Sequence, residues 1–525
     1  MNAIRSNSDK LLLGALLLTF LVVGLARLDY AGDGLRHLGP ILRSNHPALG
    51  EPRWLLFPLL LFAVVKPFAI IGLIRSEPQA ARLFCLFNIA CAFTYLVCLR
   101  VWLKELLSTQ RAAVLLLAGG SSAFLALATD IIEPTPAVAI AVAGLTFARF
   151  HAELSDGRRL TIAVMSLVMA SLIYQGLLFG FAFLPAIFPA VRLNIRQIGF
   201  RVASGILAVP LITTILLFAE GDTLGNAVRR FSQGEANTAA SKQYSRISAK
   251  NLAGVAVVGP VYALASIPEL RGLSGTMRML KRRSTALEGF RGAAAWLLAL
   301  LAFVAAMALL CKKRQFALLV AFSGMMTLPV IRMSQYSYVK YYVLLPLLIV
   351  MIMPRLEIHY GYPAFLGALL LLSNVGHIWV QRLESQALWV KVAQNLYSQI
   401  PQMSCFLATG WGPPVPGWRG DSISLARILN EGNERSQQRL AEVNSQLLRH
   451  GLKNLFCTCQ AVVTDNFVEP NVASLQQELS SFGIVGIPLP QLVVSGDTAE
   501  IFRTPRFALF RYSADGQRRA CAALQ

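Results

Sequence analysis

Asp29-Tyr30-Ala31-Gly32-Asp33-Gly34-Leu35-Arg36-His37-Leu38 follows the first long apolar run of the chain, residues 11–28. Leu35, Leu38, Ile41 and Leu42 recur at the spacing of one helix face, and Asp29, Asp33, Arg36 and His37 fall opposite them. A helix of that pattern lies flat in a membrane interface, with its apolar face against the acyl chains and its carboxylates toward water. The competing reading is an ordinary solvated face beside a helix cap. What surrounds the stretch bears on the choice.

The 525 residues are 55% hydrophobic and only 14% charged, with a mean hydropathy of +0.56. Soluble domains carry about 25% charge, so an ordinary soluble enzyme and a disordered chain are both excluded. Apolar runs recur at 11–28, 54–74, 81–103, 112–129, 136–150, 160–178, 180–191, 200–219, 293–311, 315–332, 341–353 and 361–379. The expected fold is mainly α: a polytopic transmembrane helical bundle of about eleven spans over residues 1–380. A small C-terminal α/β soluble domain is expected over residues 381–525. The net charge of +21 sits between the apolar runs. It therefore points to membrane lipids and topology control, not to nucleic acid. No zinc-ligand spacing, Walker loop or helix-turn-helix pattern is present in the sequence.

Charge also orders the spans. Arg100, Lys104 and Arg111 bracket one short loop, Arg149, Arg158 and Arg159 a second, and Arg192, Arg196 and Arg201 a third. All three fall on the cytoplasmic side only if 54–74, with its Pro58, Lys66 and Pro67, does not cross, and the positive-inside rule selects that arrangement. Residues 220–292 form a mostly polar outer insertion with an apolar piece at 252–267. If that piece does not cross, Lys312, Lys313 and Arg314 are cytoplasmic and the tail is outside; if it crosses, the tail is cytoplasmic. Arg278, Lys281, Arg282 and Arg283 run against the usual bias in the first case.

Acids and cations then gather on the outer side. Asp130-Ile131-Ile132-Glu133-Pro134 stands between two apolar runs, where Asp130 or Glu133 could simply cap a helix that Pro134 begins. Alternatively such carboxylates line a site, because an acid is expensive at membrane depth. Glu51-Pro52-Arg53-Trp54 precedes the non-crossing segment, Arg82 begins the next span, and Tyr336, Tyr338, Lys340, Tyr341 and Tyr342 separate two later ones. These basic and aromatic residues suit either a phosphate and a sugar or an interfacial belt.

In this order of features the chain resembles the GT-C class of integral membrane glycosyltransferases, which includes the bacterial aminoarabinose and the dolichyl-phosphate-mannose-type transferases. Asp33-Gly34 is similar to the Asp-Gly of the bacterial oligosaccharyltransferase first loop. Glu51-Pro52-Arg53 resembles the Glu-Lys-Pro of the aminoarabinose transferase, and Glu133-Pro134 its Asp-Pro. The oligosaccharyltransferase Trp-Trp-Asp motif is absent from the sequence. The resemblance implies sugar transfer from a polyprenyl-phosphate-linked donor to an acceptor at the periplasmic face of a bacterial inner membrane. It implies Asp33 as catalytic base and Glu133 as its catalytic partner, with Asp29, Asp130 and Glu51 as supporting acids. Arg53, Arg82 and Lys340 would hold the donor phosphate, and His37 and Tyr341 the acceptor or sugar. No cofactor is required outright; a role for a divalent cation, Mg or Mn, stays open, as does the oligomeric state.

Two rival readings are an envelope polysaccharide polymerase or ligase of another fold, and a lipid or sugar transporter or flippase. The first lacks the early interfacial Asp and the acidic pair before the fourth span. The second calls for matched halves and charges near the midplane, whereas the charges here lie mainly at span ends. In the tail, strands are expected at 403–409, 454–464, 492–495 and 506–512 and helices at 435–450 and 471–481. Its four cysteines, Cys405, Cys457, Cys459 and Cys521, suit disulfides in an oxidising compartment or reduced thiols elsewhere.

Overall fold

The computed structural model describes, in one unit, residues 7–26, 38, 41–42, 49, 55–75, 77–129, 132–151, 153–188, 195–219, 224, 261, 263–265, 286–313, 318 and 342–379. In a second unit it describes residues 405–408, 422–424, 438–459, 461–465, 480, 486, 498–503 and 508–525. The first unit comprises Met1–Gly234 and Arg246–Glu384, the second Glu235–Ser245 and Ser385–Gln525.

The first unit is helical. Its described helices are α1 (Ser8–Ala26), α2 (Phe57–Ile70), α3 (Glu77–Trp102), α4 (Ser108–Gly120), α5 (Ser122–Thr129), α6 (Pro134–Phe150) and α7 (Asp156–Ile173). A 3-10 helix, Gln175–Phe183, leads into α8 (Leu184–Ile187), followed by α9 (Ile195–Ala219), α10 (Ala286–Lys312), α11 (Leu345–Leu356) and α12 (Gly361–Trp379). Four stretches within these, Ser8–Leu25, Gln79–Trp102, Arg196–Ala219 and Gly361–Trp379, are long and apolar enough to cross a membrane, and the bent pair α4–α5 adds a fifth candidate. The chain is a mainly α, multi-pass membrane protein.

Polar contacts fix which helix ends lie together. Asp9, wholly buried, receives Arg100 Nε at 2.7 Å, Arg111 Nε at 2.9 Å and Ser108 Oγ at 2.6 Å. This joins the start of α1, the end of α3 and the start of α4. Arg149 Nη1 donates to Ile187 O and Arg159 Nη2 to Arg149 O, which adds the ends of α6 and α8 and the start of α7. Arg201 donates to Gly157 O, and Lys313 pairs with Glu357 at 2.7 Å, which adds α9, α10 and α11. The described residues of the short basic loops therefore meet at one end of the bundle, here the basic end.

The non-crossing segment is α2, only 14 residues long and so about 21 Å, short of the roughly 30 Å hydrocarbon core. Leu56 N donates to Leu172 O, which fixes its start to the end of α7, opposite the basic end. It stops at Gly72, whose φ of +77° suits a residue without a Cβ. There Leu73 N returns to Phe68 O in a C-terminal capping turn.

Three apolar runs fold differently from a plain span. The run 112–129 is bent by 69° between α4 and α5. Ser121 Oγ turns back to Ala118 O at 2.7 Å, and Asn374 Nδ2 of α12 donates to Gly120 O and to Leu264 O, each at 2.8 Å. The bonds to Ala118 O and Gly120 O satisfy carbonyls that the break would otherwise leave bare in an apolar interior. The runs 160–178 and 180–191 are divided at Tyr174, whose backbone is extended. The 3-10 helix and α8 then return the chain from the end of α7 to the basic end with a rise of roughly 24 Å.

The second unit holds a five-stranded sheet in the order β2-β1-β3-β5-β4, with strands Cys405–Ala408 (β1), Ser422–Ser424 (β2), Ala461–Asp465 (β3), Thr498–Arg503 (β4) and Ala508–Tyr512 (β5). β1 is parallel to β2 and β3, whereas β5 is antiparallel to β3 and β4. Helix α13 (Gln438–Cys457) packs on β1 and on α14 (Ala514–Leu524). It buries Leu448, Leu452, Leu455 and Phe456, and Phe456 meets Tyr512 edge-on at 4.9 Å. The strand expected to begin at 454 is thus helix until Cys457, because those apolar residues repeat at helical spacing. The strand expected at 492–495 lies outside the described residues, as does all of the 471–481 helix except Ser480. The four tail cysteines form Cys405–Cys459 and Cys457–Cys521.

Candidate active site

Opposite the basic end, the first part of α3 organises its neighbours. Phe84 meets Phe57 of α2 edge-on at 5.7 Å. One face further along, Cys85 Sγ donates to Thr129 O at 3.7 Å and Asn88 Nδ2 to Ile132 O at 3.3 Å. These bonds hold the α5–α6 junction against α3. Thr135 Oγ1 donates to Leu127 O at 2.6 Å and closes the junction from its other side. Glu133 occupies the N-cap position of α6 with Pro134 opening the helix, and is 1% exposed. Its side chain does not cap the helix.

Helix α1 ends at the same place. A Cβ on Gly24 would lie 2.9 Å from Cys85 Sγ and 3.7 Å from Thr129 Cα, so α1 passes close by this junction and any side chain there would have to displace Cys85. The chain leaves α1 at Ala26 beside the α5–α6 junction. The first-loop apolar face reappears as buried Leu38 and Ile41 and half-buried Leu42. Arg82 is exposed on α3, six residues before Asn88, or about 9 Å along the axis.

Lys66 is the residue the sequence undervalued. It lies in α2, 7% exposed, with Nζ donating to Ile41 O and Leu42 O at 3.4 Å each and standing 6.0 Å from the Phe62 ring. The signal was a lone lysine within an otherwise apolar segment, which in a membrane protein marks function by default.

Asp29, Asp33, His37, Glu51, Arg53, Asp130, Lys340, Tyr341 and Leu35 lie outside the described residues. Of the predicted site residues, the structure therefore places Glu133 and Arg82, both at the end opposite the basic one. Among the described residues no group of three His, Cys, Asp or Glu side chains could hold a metal ion.

No protein-family model matches the chain. No curated protein matches it either. Among solved structures it is similar to ArnT from Cupriavidus metallidurans in the apo state, with 12% identity, a TM-score of 0.42, and coverage of 96% of this chain and 98% of that one. The same enzyme bound to undecaprenyl phosphate gives 11% identity and a TM-score of 0.38, over 97% and 99% of the two chains. The Archaeoglobus fulgidus oligosaccharyltransferase tethered with an acceptor peptide gives 10% identity and a TM-score of 0.47, over 98% of this chain and 74% of that one.

Proposed function

We propose that this chain is a membrane glycosyltransferase that moves a sugar from a polyprenyl-phosphate-linked donor to an acceptor at the periplasmic face of a bacterial inner membrane. The observation that carries the reading is Glu133: a buried carboxylate at a helix junction, with α1 ending beside it and releasing the Asp33 loop there. Asp33 stands seven residues beyond Ala26, a reach of at most about 25 Å. Asp130 follows Thr129 directly.

In this reading Asp33 accepts the proton of the attacking acceptor hydroxyl. Glu133, with Asp29, Asp130 and Glu51, orients the acceptor or the base, or holds a divalent cation. The new bond forms at the anomeric carbon as the carbon–oxygen bond to phosphate breaks. The departing phosphate keeps the electron pair as an anion, so no acid need protonate it. Arg53, Arg82, Lys340 and the buried Lys66 balance its charge, and His37 and Tyr341 contact sugar or acceptor.

Orientation follows from charge. The basic end faces the cytoplasm by the positive-inside rule, so Glu133 and α2 lie toward the periplasm. Helix α12 starts beside the basic end and leads the chain away from it, toward the compartment where the tail's disulfides are stable. Residues 1–380 then act as the transferase domain and 381–525 as a periplasmic domain.

The test is transfer from radiolabelled polyprenyl-phosphate sugars by the purified protein in liposomes, offering hexosyl and pentosyl donors in parallel. Asp33→Asn and Glu133→Gln are each expected to lose at least about 100-fold in rate with insertion and melting unchanged. Transfer at the wild-type rate by both variants would contradict the proposal.

A further inference from the structure

At the basic end three cations gather, and among the described residues none of them forms an ion pair. Arg149 Cζ lies 4.5 Å above the Trp102 ring and 5.5 Å from that of Phe150. Lys104 Nζ approaches the same Phe150 ring at 4.8 Å. Arg355, at the end of α11, adds a third positive charge at this end, and its charge acts on Arg149. Trp102 is fixed in place by its Nε1, which donates to Thr146 Oγ1 at 2.8 Å. Both arginines are half-buried, and each spends one Nη1 on a carbonyl, Ile187 O and Met351 O respectively.

A few residues away the chain solves the same problem differently. Arg100 and Arg111 share the buried carboxylate of Asp9. Arg159 pairs with Asp156 at 3.6 Å and Lys313 with Glu357. Among the described residues no ion pair reaches Arg149, Arg355 or Lys104. The acid whose charge acts on Arg149 is Glu105, which is exposed.

Half-buried guanidinium groups, one of them stacked over aromatic rings and countered only by an exposed carboxylate, suit an anion from outside the chain. Guanidinium groups bind phosphate oxygens in pairs of parallel hydrogen bonds, and Trp at the end of an apolar helix marks headgroup depth. We propose that Arg149, Arg355 and Lys104, over the Trp102 and Phe150 rings, form a binding site for the phosphodiester headgroup of an anionic phospholipid. The site is at the opposite end of the bundle from Glu133 and stands or falls independently of the transfer reaction. It also differs from positive-inside bias, which needs only exposed charge: Arg158 and Lys312 at the same end supply that.

The full chain in detergent serves as the test. Its melting midpoint is followed while phosphatidylglycerol, phosphatidylcholine or inorganic phosphate is added, and co-purified lipid is read by native mass spectrometry. Phosphatidylglycerol is expected to raise the midpoint, the other two to leave it unchanged. The apparent affinity should weaken about tenfold for each guanidinium removed in Arg149→Gln and Arg355→Gln. Lys104→Gln, at an exposed position, should weaken it by a smaller factor, and Arg158→Gln should not change it. A phosphatidylglycerol response that survives in Lys104→Gln and in the two arginine variants alike would overturn the proposal. An equal response to inorganic phosphate would overturn the lipid as the source, and an equal loss in Arg158→Gln would reduce the effect to general surface charge.

Discussion

At the scale of single residues, the bundle is held by a few polar side chains placed where an apolar residue would seem safer. Asp9 is the clearest case. Its carboxylate neutralises Arg100 and Arg111, whose side chains are 32% and 18% exposed. Asp9→Asn keeps a hydrogen-bonding group but strands two cations, and it should destabilise the purified protein on the order of 2 kcal/mol, seen as a lower melting midpoint. Tyr95 has a similar role in α3: its hydroxyl donates to Val343 O at 3.2 Å and accepts Leu347 N at 3.1 Å, so it satisfies the buried start of α11. Tyr95→Phe leaves Leu347 N without that acceptor and should cost on the order of 1 kcal/mol, measured by the same melt.

At the scale of elements, close approach of backbones decides the packing. A Cβ on Gly367 would meet Leu117 N at 2.6 Å, and one on Gly120 would meet Gly367 O at 2.7 Å. Gly367→Ala must therefore push α12 off α4, at a cost of about 1–3 kcal/mol in a thermal or denaturant melt, whereas Gly14→Ala, with open space around it, should be neutral. The sequence made the non-crossing nature of α2 legible, because the sides of three basic loops depended on it. The apolar face of Leu38 and Ile41 was legible from its spacing. The break between α4 and α5 was not. The run is apolar on both sides of Ser121, and the amide that bridges the break comes from Asn374, more than 250 residues away. The 3-10 helix after Tyr174 was hidden for the same reason: its apolar residues fit any helical period. In the tail, the residues 454–457 suited strand and helix equally, and packing of Leu452, Leu455 and Phe456 decided for helix. Of the candidate site, Glu133 and Arg82 were legible as charges at span boundaries. The burial of Lys66 was not, since it depends on carbonyls of residues 41 and 42 folding over α2.

At the scale of the whole molecule, the two ends of the helical unit carry different chemistry. One gathers the arginines and lysines of every described short loop; the other gathers a buried carboxylate, a buried ammonium and the exit of α1. The tail adds two disulfides that close stretches of 54 and 64 residues. Each should stabilise the second unit by roughly 4 kcal/mol on the chain-entropy account, so Cys457→Ser with Cys521→Ser should unfold it at markedly lower denaturant. The account as a whole rests on Asp33 and Glu133 facing one reacting centre. The most direct measurement is the distance between their carboxyl groups in a cryo-EM map of the full chain in nanodiscs with polyprenyl phosphate bound. The account predicts a separation below about 15 Å, since proton transfer needs hydrogen-bond reach or one bridging water, with the phosphate between them. Carboxyl groups further apart than that, or opening toward opposite ends of the bundle, would contradict it.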